Sequence, residues 1–177
     1  FGFIFTFFSS FGQSFFLGLF NAPIRNELDI SHGQFGSIYA SATICSSFLL
    51  IWVGKKIDDY KLLYYSLFVV LLLSISSMLF SLVNSVVFFA VGIFLMRFSG
   101  QGLMSHTSTT AISRFFDKSR GKALSFIWFG LSTAEFILPV LITYLLISYS
   151  WRLVWQGIAL VIILLLPIIV YKCIKTI

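Results

Sequence analysis

Six apolar runs, each near the ~20 residues that a helix needs to cross a bilayer, leave this chain few ways to fold. They cover roughly residues 1 to 22, 34 to 53, 62 to 83, 86 to 112, 124 to 147 and 153 to 171, with only short polar loops between them. Lipid offers no partners for backbone polar groups, so segments of this kind span as helices. Composition agrees: 59% of the residues are hydrophobic and 10% charged, where soluble domains carry about 25% charged residues. The expected fold class is an all-α membrane protein with six transmembrane helices and no soluble domain. Pro23 cannot extend the first helix, and Ser31 with Gln34 has capping-box spacing at the start of the second. Cys45 and Cys173 read as core thiols, with neither a disulfide framework nor metal-ligand spacing. No cofactor is expected. The chain opens on Phe1 inside an apolar run, so it is expected to be a fragment whose start is missing.

Basic residues set the expected orientation. Lys55, Lys56 and Lys61 lie between the second and third runs, Arg114, Lys118, Arg120 and Lys122 between the fourth and fifth, and Lys172 and Lys175 after the sixth. Against these nine, the other side carries only Arg25 and Arg152. The positive-inside rule makes the nine cytoplasmic, so both ends of the six-helix unit face the cytoplasm. Trp151 and Trp155 then fall near the outer interface, where an aromatic belt is expected. The net charge of +6 reflects this topology, which argues against nucleic acid as a partner.

Arg97 is the residue that most needs explaining. It lies about 16 Å along the fourth helix from Val86, near the middle of a ~30 Å hydrocarbon core. A central arginine costs about 2.5–3.5 kcal/mol on insertion scales, and such groups face a bundle interior or a wet cavity. At 100° per residue, Gln101, Met104 and Ser108 share its face, while Gly92, Gly100 and Gly102 offer small surfaces for close packing. Glu135, midway along the fifth helix, is the one acid well inside a span. Two readings stay open: the pair neutralises itself to brace the two helices, or Arg97 is an anion site with a protonatable acid nearby. Gln13, near the midplane of the first helix, is a third lining candidate or an interhelical hydrogen-bonding group. His32 reads as a solvated or capping residue, and His106 as a packing or gating group.

Intramembrane enzymes and channels lack their chemistry here. Ser105 and His106 are adjacent on one helix and point about 100° apart, which denies a serine protease its base. Asp29, Asp58, Asp59 and Asp117 read as loop or helix-end residues, so no aspartyl dyad sits within the spans. The NAP of residues 21 to 23 is not a doubled water-channel motif. An enzyme is not expected.

The loops carry a family resemblance. GKKIDDYK, residues 54 to 61, resembles the G-x-L-x-D-R-x-G-R-R loop between helices 2 and 3 of the major facilitator superfamily. Gly54 and Asp58 are in place, while Lys56 replaces the usual Leu, Asp59 the Arg and Lys61 the second Gly. RFSGQG is similar to the R-x-x-x-Q-G form of helix 4, with Arg97, Gln101 and Gly102 in register. The run from Arg114 to Pro139 resembles the monocarboxylate and oxalate-formate branch, through Phe116, Arg120, Gly121, Ala123, Gly130 and Pro139.

The resemblance implies the amino-terminal half of a twelve-helix transporter, built from two inverted three-helix repeats and completed by a carboxy-terminal half absent from this chain. Helices 1 and 4 would face a central cavity, with Arg97, Gln101, Gln13 and Ser108 as cavity or substrate-binding residues. Glu135 is the coupling candidate. Gly54, Asp58 and Arg114 form a cytoplasmic gate. The function expected is secondary transport of a small polar solute, an organic anion first, by alternating access with a proton as coupling ion. The rival is a non-transporting receptor-like or assembly subunit on the same fold. The partners expected are the solute, the bilayer and the second half, and the location is a bacterial cytoplasmic membrane.

Overall fold

The structure, a computed structural model, describes residues 1–116 and 118–175; Asp117, expected in a loop or at a helix end, lies outside them. The described residues are almost wholly helical: α1 (Gly2–Ser9), a 3-10 turn (Ser10–Gly12), α2 (Ser14–Gly18), α3 (Asn21–Leu28), α4 (His32–Lys55), a 3-10 turn (Lys56–Asp58), α5 (Leu62–Ser81), α6 (Val86–Met96), a π-helical segment (Arg97–Met104), α7 (Ser105–Phe115), α8 (Arg120–Ser148) and α9 (Trp151–Lys175). Five continuous helical stretches are long and apolar enough to cross a bilayer. A sixth candidate span is the bent pair Gly2–Gly18 and Asn21–Leu28, whose axes differ by 63°.

Local chemistry explains the boundaries. The expected capping box is present: the Gln34 N–H donates to Ser31 Oγ at 3.2 Å, and the Ser31 N–H donates to Gln34 Oε1 at 2.8 Å. Pro23 acts differently from the expectation. The first span has already stopped at Gly18, and Pro23 sits in the first turn of α3, where its missing N–H is no loss. Asp29 closes α3 in the left-handed region at φ 52°, a conformation that short polar side chains tolerate.

Packing follows a symmetric scheme. The first span packs on α8, α4 packs on the fourth span (α6, the π segment and α7), α5 packs on α9, and the first and fourth spans cross each other. Exchanging spans 1, 2, 3 with 4, 5, 6 maps these pairings onto one another, as two inverted repeats require; α5 also packs on the fourth span, a contact whose image between α9 and the first span is slight. The tryptophans depart from the expected belt. Trp155 is fully buried among Phe16, Phe20 and Phe80, with the last two rings 5.0 and 4.9 Å away. Trp151 is 7% exposed and donates to Glu27 Oε2 at 2.8 Å. These aromatics turn inward and fill the joint between three spans. Cys45 is also no core thiol, since it is exposed on α4; Cys173 is half-buried.

Candidate functional site: a buried arginine where two broken helices meet

Halfway through the bundle, the first and fourth spans both leave α geometry at the same place. Gln13 is extended (φ −82°, ψ 156°) between the 3-10 turn and α2. Opposite it, Arg97–Met104 is π-helical, a form that gathers at functional sites. Gly12 and Gly100 bring the two backbones together. A Cβ on Gly12 would stand 2.8 Å from Gly100 Cα and 2.5 Å from the Gln101 N, and one on Gly100 would stand 2.8 Å from Gly12 Cα. Glycine is needed at both positions because backbone occupies the space of any side chain. Of the other expected close contacts, Gly92 is tight against Phe80 at 2.7 Å, whereas Gly102 makes only ordinary contacts.

Breaking a helix in a membrane frees backbone groups that must find partners. Arg97 supplies one. Its side chain is buried, and Nη1 donates to the Gly12 carbonyl at 2.9 Å and to Ser14 Oγ at 3.4 Å, while Nε donates to Thr43 Oγ1 at 3.1 Å. The guanidinium carbon lies 5.1 Å from the centre of the Tyr39 ring, whose hydroxyl donates to Ser14 Oγ at 2.9 Å. Every one of these partners is neutral. Among the described residues no carboxylate pairs with Arg97.

Glu135 is therefore not its counter-ion. It is exposed on α8 and makes no ion pair among the described residues. Ala134, Leu138 and Ile142 face inward from α8, and Glu135 stands one residue round, on the same flank as Trp128 two turns below. The bracing pair does not form, and the arginine keeps its charge uncompensated.

Beyond Arg97, the residues expected on its face are not equally open. Ser108, expected to line the cavity, is fully buried and donates to the Gly2 carbonyl at 2.9 Å, tying the first span to the fourth. Met104 is fully buried as well. Gln101 stays half-buried, and the half-buried polar row continues through Ser105, Thr109 and Ser113. Gln13 is half-buried beside the break.

At the end of the bundle carrying the basic loops, Asp58 accepts from Arg114 Nη2, and Arg114 Nη1 reaches the Ile57 carbonyl at 3.5 Å. Gly54 is buried beneath His106, whose Nε2 lies 3.0 Å from the Gly54 carbonyl; a Cβ there would meet the imidazole at 3.3 Å. Asp59 pairs with Lys56 at 3.0 Å. The expected trio thus converges, and His106, read from the sequence as a packing or gating group, lies against it. At the opposite end, Arg152 bonds Glu27 and the Ser81 carbonyl, the latter at 2.7 Å, joining α9 to α3 and to the end of α5. The Arg152 hydrogen bond holds the Glu27 carboxyl below its ordinary range.

Helices crossing in a 1–5, 2–4, 3–6 scheme around a charged, broken-helix centre make an inverted-repeat membrane fold of the kind that transporters use. Comparison bears this out: residues 2–175 match the family model of the Major Facilitator Superfamily, and the chain belongs to that superfamily. The match assigns no branch within it. No curated protein and no solved structure matches the chain. Members of this superfamily are in general membrane transporters and not enzymes.

Proposed function

We propose that the chain is the amino-terminal half of a secondary active transporter that moves a small organic anion by alternating access. One observation carries the reading: Arg97 is buried at the junction of two interrupted helices with only neutral partners. A cation held this way is incomplete without an anion, because a buried charge is stable only when paired. Its planar guanidinium suits a carboxylate in a bidentate grip, which a lysine point charge does not reproduce. Gln101 and Gln13 flank it as further polar contacts. The resemblance of residues 114 to 139 to the monocarboxylate branch supports the same class of solute.

In this reading a second six-helix half covers the α4 and α8 flanks, and the two halves rock about Arg97. Asp58, Arg114, Gly54 and His106 form the gate at the basic end, which is cytoplasmic in a bacterial inner membrane. Glu135, an exposed midspan acid, carries the coupling proton. The test is uptake into proteoliposomes across labelled carboxylates and neutral solutes of matched size. Saturable uptake of carboxylates by the protein with both halves, accelerated by an inward proton gradient, is expected; well-folded full-length protein that takes up none of the panel refutes the proposal.

A further inference from the structure

A second polar concavity opens away from Arg97. It lies between α7 and α8 at the basic end, has a volume of about 510 Å³, and is lined by Thr110, Ser113, Arg114, Arg120, Leu124 and Trp128. Of these donors, Arg114 is held by Asp58 and the Ile57 carbonyl, and the others are unpaired among the described residues. Among the described residues, the hydroxyls of Thr110 and Ser113 and the Arg120 guanidinium have no hydrogen-bond partner, and Arg120 forms no salt bridge. No carboxylate lines the space among the described residues, and Asp58 is held by Arg114. One wall is apolar, formed by Leu124 and the half-open indole of Trp128. The Arg120 guanidinium, two hydroxyl donors and an aromatic plate, with Arg114 beside them already paired to Asp58, suit an anion with a planar or apolar body.

We propose that this pocket is a second anion site, a vestibule where the transported organic anion rests between the Arg97 centre and the aqueous phase at the basic end. The identity of its ligand rests on the transport reading above. The half-buried row Ser113, Thr109, Ser105, Gln101 runs from this pocket toward the π segment, which gives the two sites a polar connection. Glu135 stands on the Trp128 flank of α8, so a proton and an anion would travel along neighbouring lines.

Equilibrium binding of labelled benzoate to the purified protein in phospholipid-free micelles tests the site, with benzamide as the neutral analogue. Two saturable components are expected for benzoate and none for benzamide. Arg120→Gln should weaken one component at least tenfold and leave the other intact, and Ser113→Ala should weaken the same one about threefold. Lys118→Gln, which removes a neighbouring charge outside the pocket, should change neither. An unchanged curve for Arg120→Gln overturns the proposal, as do equal losses for Lys118→Gln or the absence of saturable benzoate binding. An Arg120-dependent component that appears only when phosphatidylglycerol is added assigns the pocket to a lipid headgroup and overturns it too. Arg97→Lys reports separately: if it leaves both components unchanged, the central reading fails while the vestibule stands.

Discussion

Gly12→Ala is the most demanding substitution the fold offers. The added methyl would stand 2.5 Å from the Gln101 N and 2.8 Å from Gly100 Cα, and would press on the Met96 carbonyl. Ordinary contact begins near 3.4 Å, so the first and fourth spans must separate by the better part of an ångström. Because the opposing atoms are backbone, no rotamer change relieves the clash, and overpacking costs at the upper end of about 1–3 kcal/mol are expected. Separation also pulls the Gly12 carbonyl from Arg97 Nη1, now 2.9 Å away; hydrogen bonds to charged groups contribute about 1.5–3 kcal/mol. These terms share one displacement and do not add fully, so a total near 3 kcal/mol is expected, roughly a 150-fold change in the folding equilibrium. The assay is reversible unfolding in mixed micelles, with Gly157→Ala as the control, since a Cβ there meets nothing within 4 Å. The control should be neutral or stabilised by up to about 1 kcal/mol through helix propensity. A Gly12→Ala protein as stable as the control would falsify the close backbone crossing.

Asp58→Asn removes a surface ion pair whose side chains are 62% and 49% exposed, so stability should change by less than about 1 kcal/mol. Cysteine probes at the basic end should nevertheless become more accessible; unchanged labelling removes the gate. Glu27 has a lowered carboxyl pKa through its Arg152 hydrogen bond, so its contribution is full above the unfolded carboxylate range and fades as pH falls through the folded value. Glu27→Gln should therefore cost less than about 1 kcal/mol at pH 7, with the two proteins converging in acid; a gap that widens on acidification contradicts the clamp. Glu135→Gln should stay folded, since among the described residues Glu135 makes no ion pair for the change to break. It should retain equilibrium exchange and lose gradient-driven acceleration, and normal gradient-driven uptake rules it out as the coupling acid.

What could be read in advance followed from periodicity and solvation. Hydropathy located the spans because lipid imposes one length scale, and the Ser31 capping box was visible because its partners are three residues apart. Asp58 and Arg114 were joined through the loop resemblance. The centre of the bundle was less legible. A π segment in Arg97–Met104 has no distinct composition, and nothing in the sequence shows that Ser108, which like Arg97 turns toward the first span, is closed off there by the Gly2 carbonyl. The neutral partners of Arg97, namely Tyr39, Thr43 and Ser14, come from two other spans and carry no charge signal. Pairing Arg97 with Glu135 was the simplest way to balance a buried cation, but it needed the azimuth of Glu135 on α8, which only packing against the first span fixes.

The role of Arg97 is open to one direct measurement: equilibrium exchange of a labelled carboxylate across proteoliposomes by wild type, Arg97→Lys and Arg97→Gln, with folding of each verified by the unfolding assay. Lysine keeps the charge but loses the fork, so exchange affinity should fall at least tenfold, about 1.4 kcal/mol. Glutamine removes the cation, so carboxylate exchange should vanish although the protein folds. Carboxylate exchange by Arg97→Gln at the wild-type rate would contradict the proposal that the uncompensated arginine is what the solute binds.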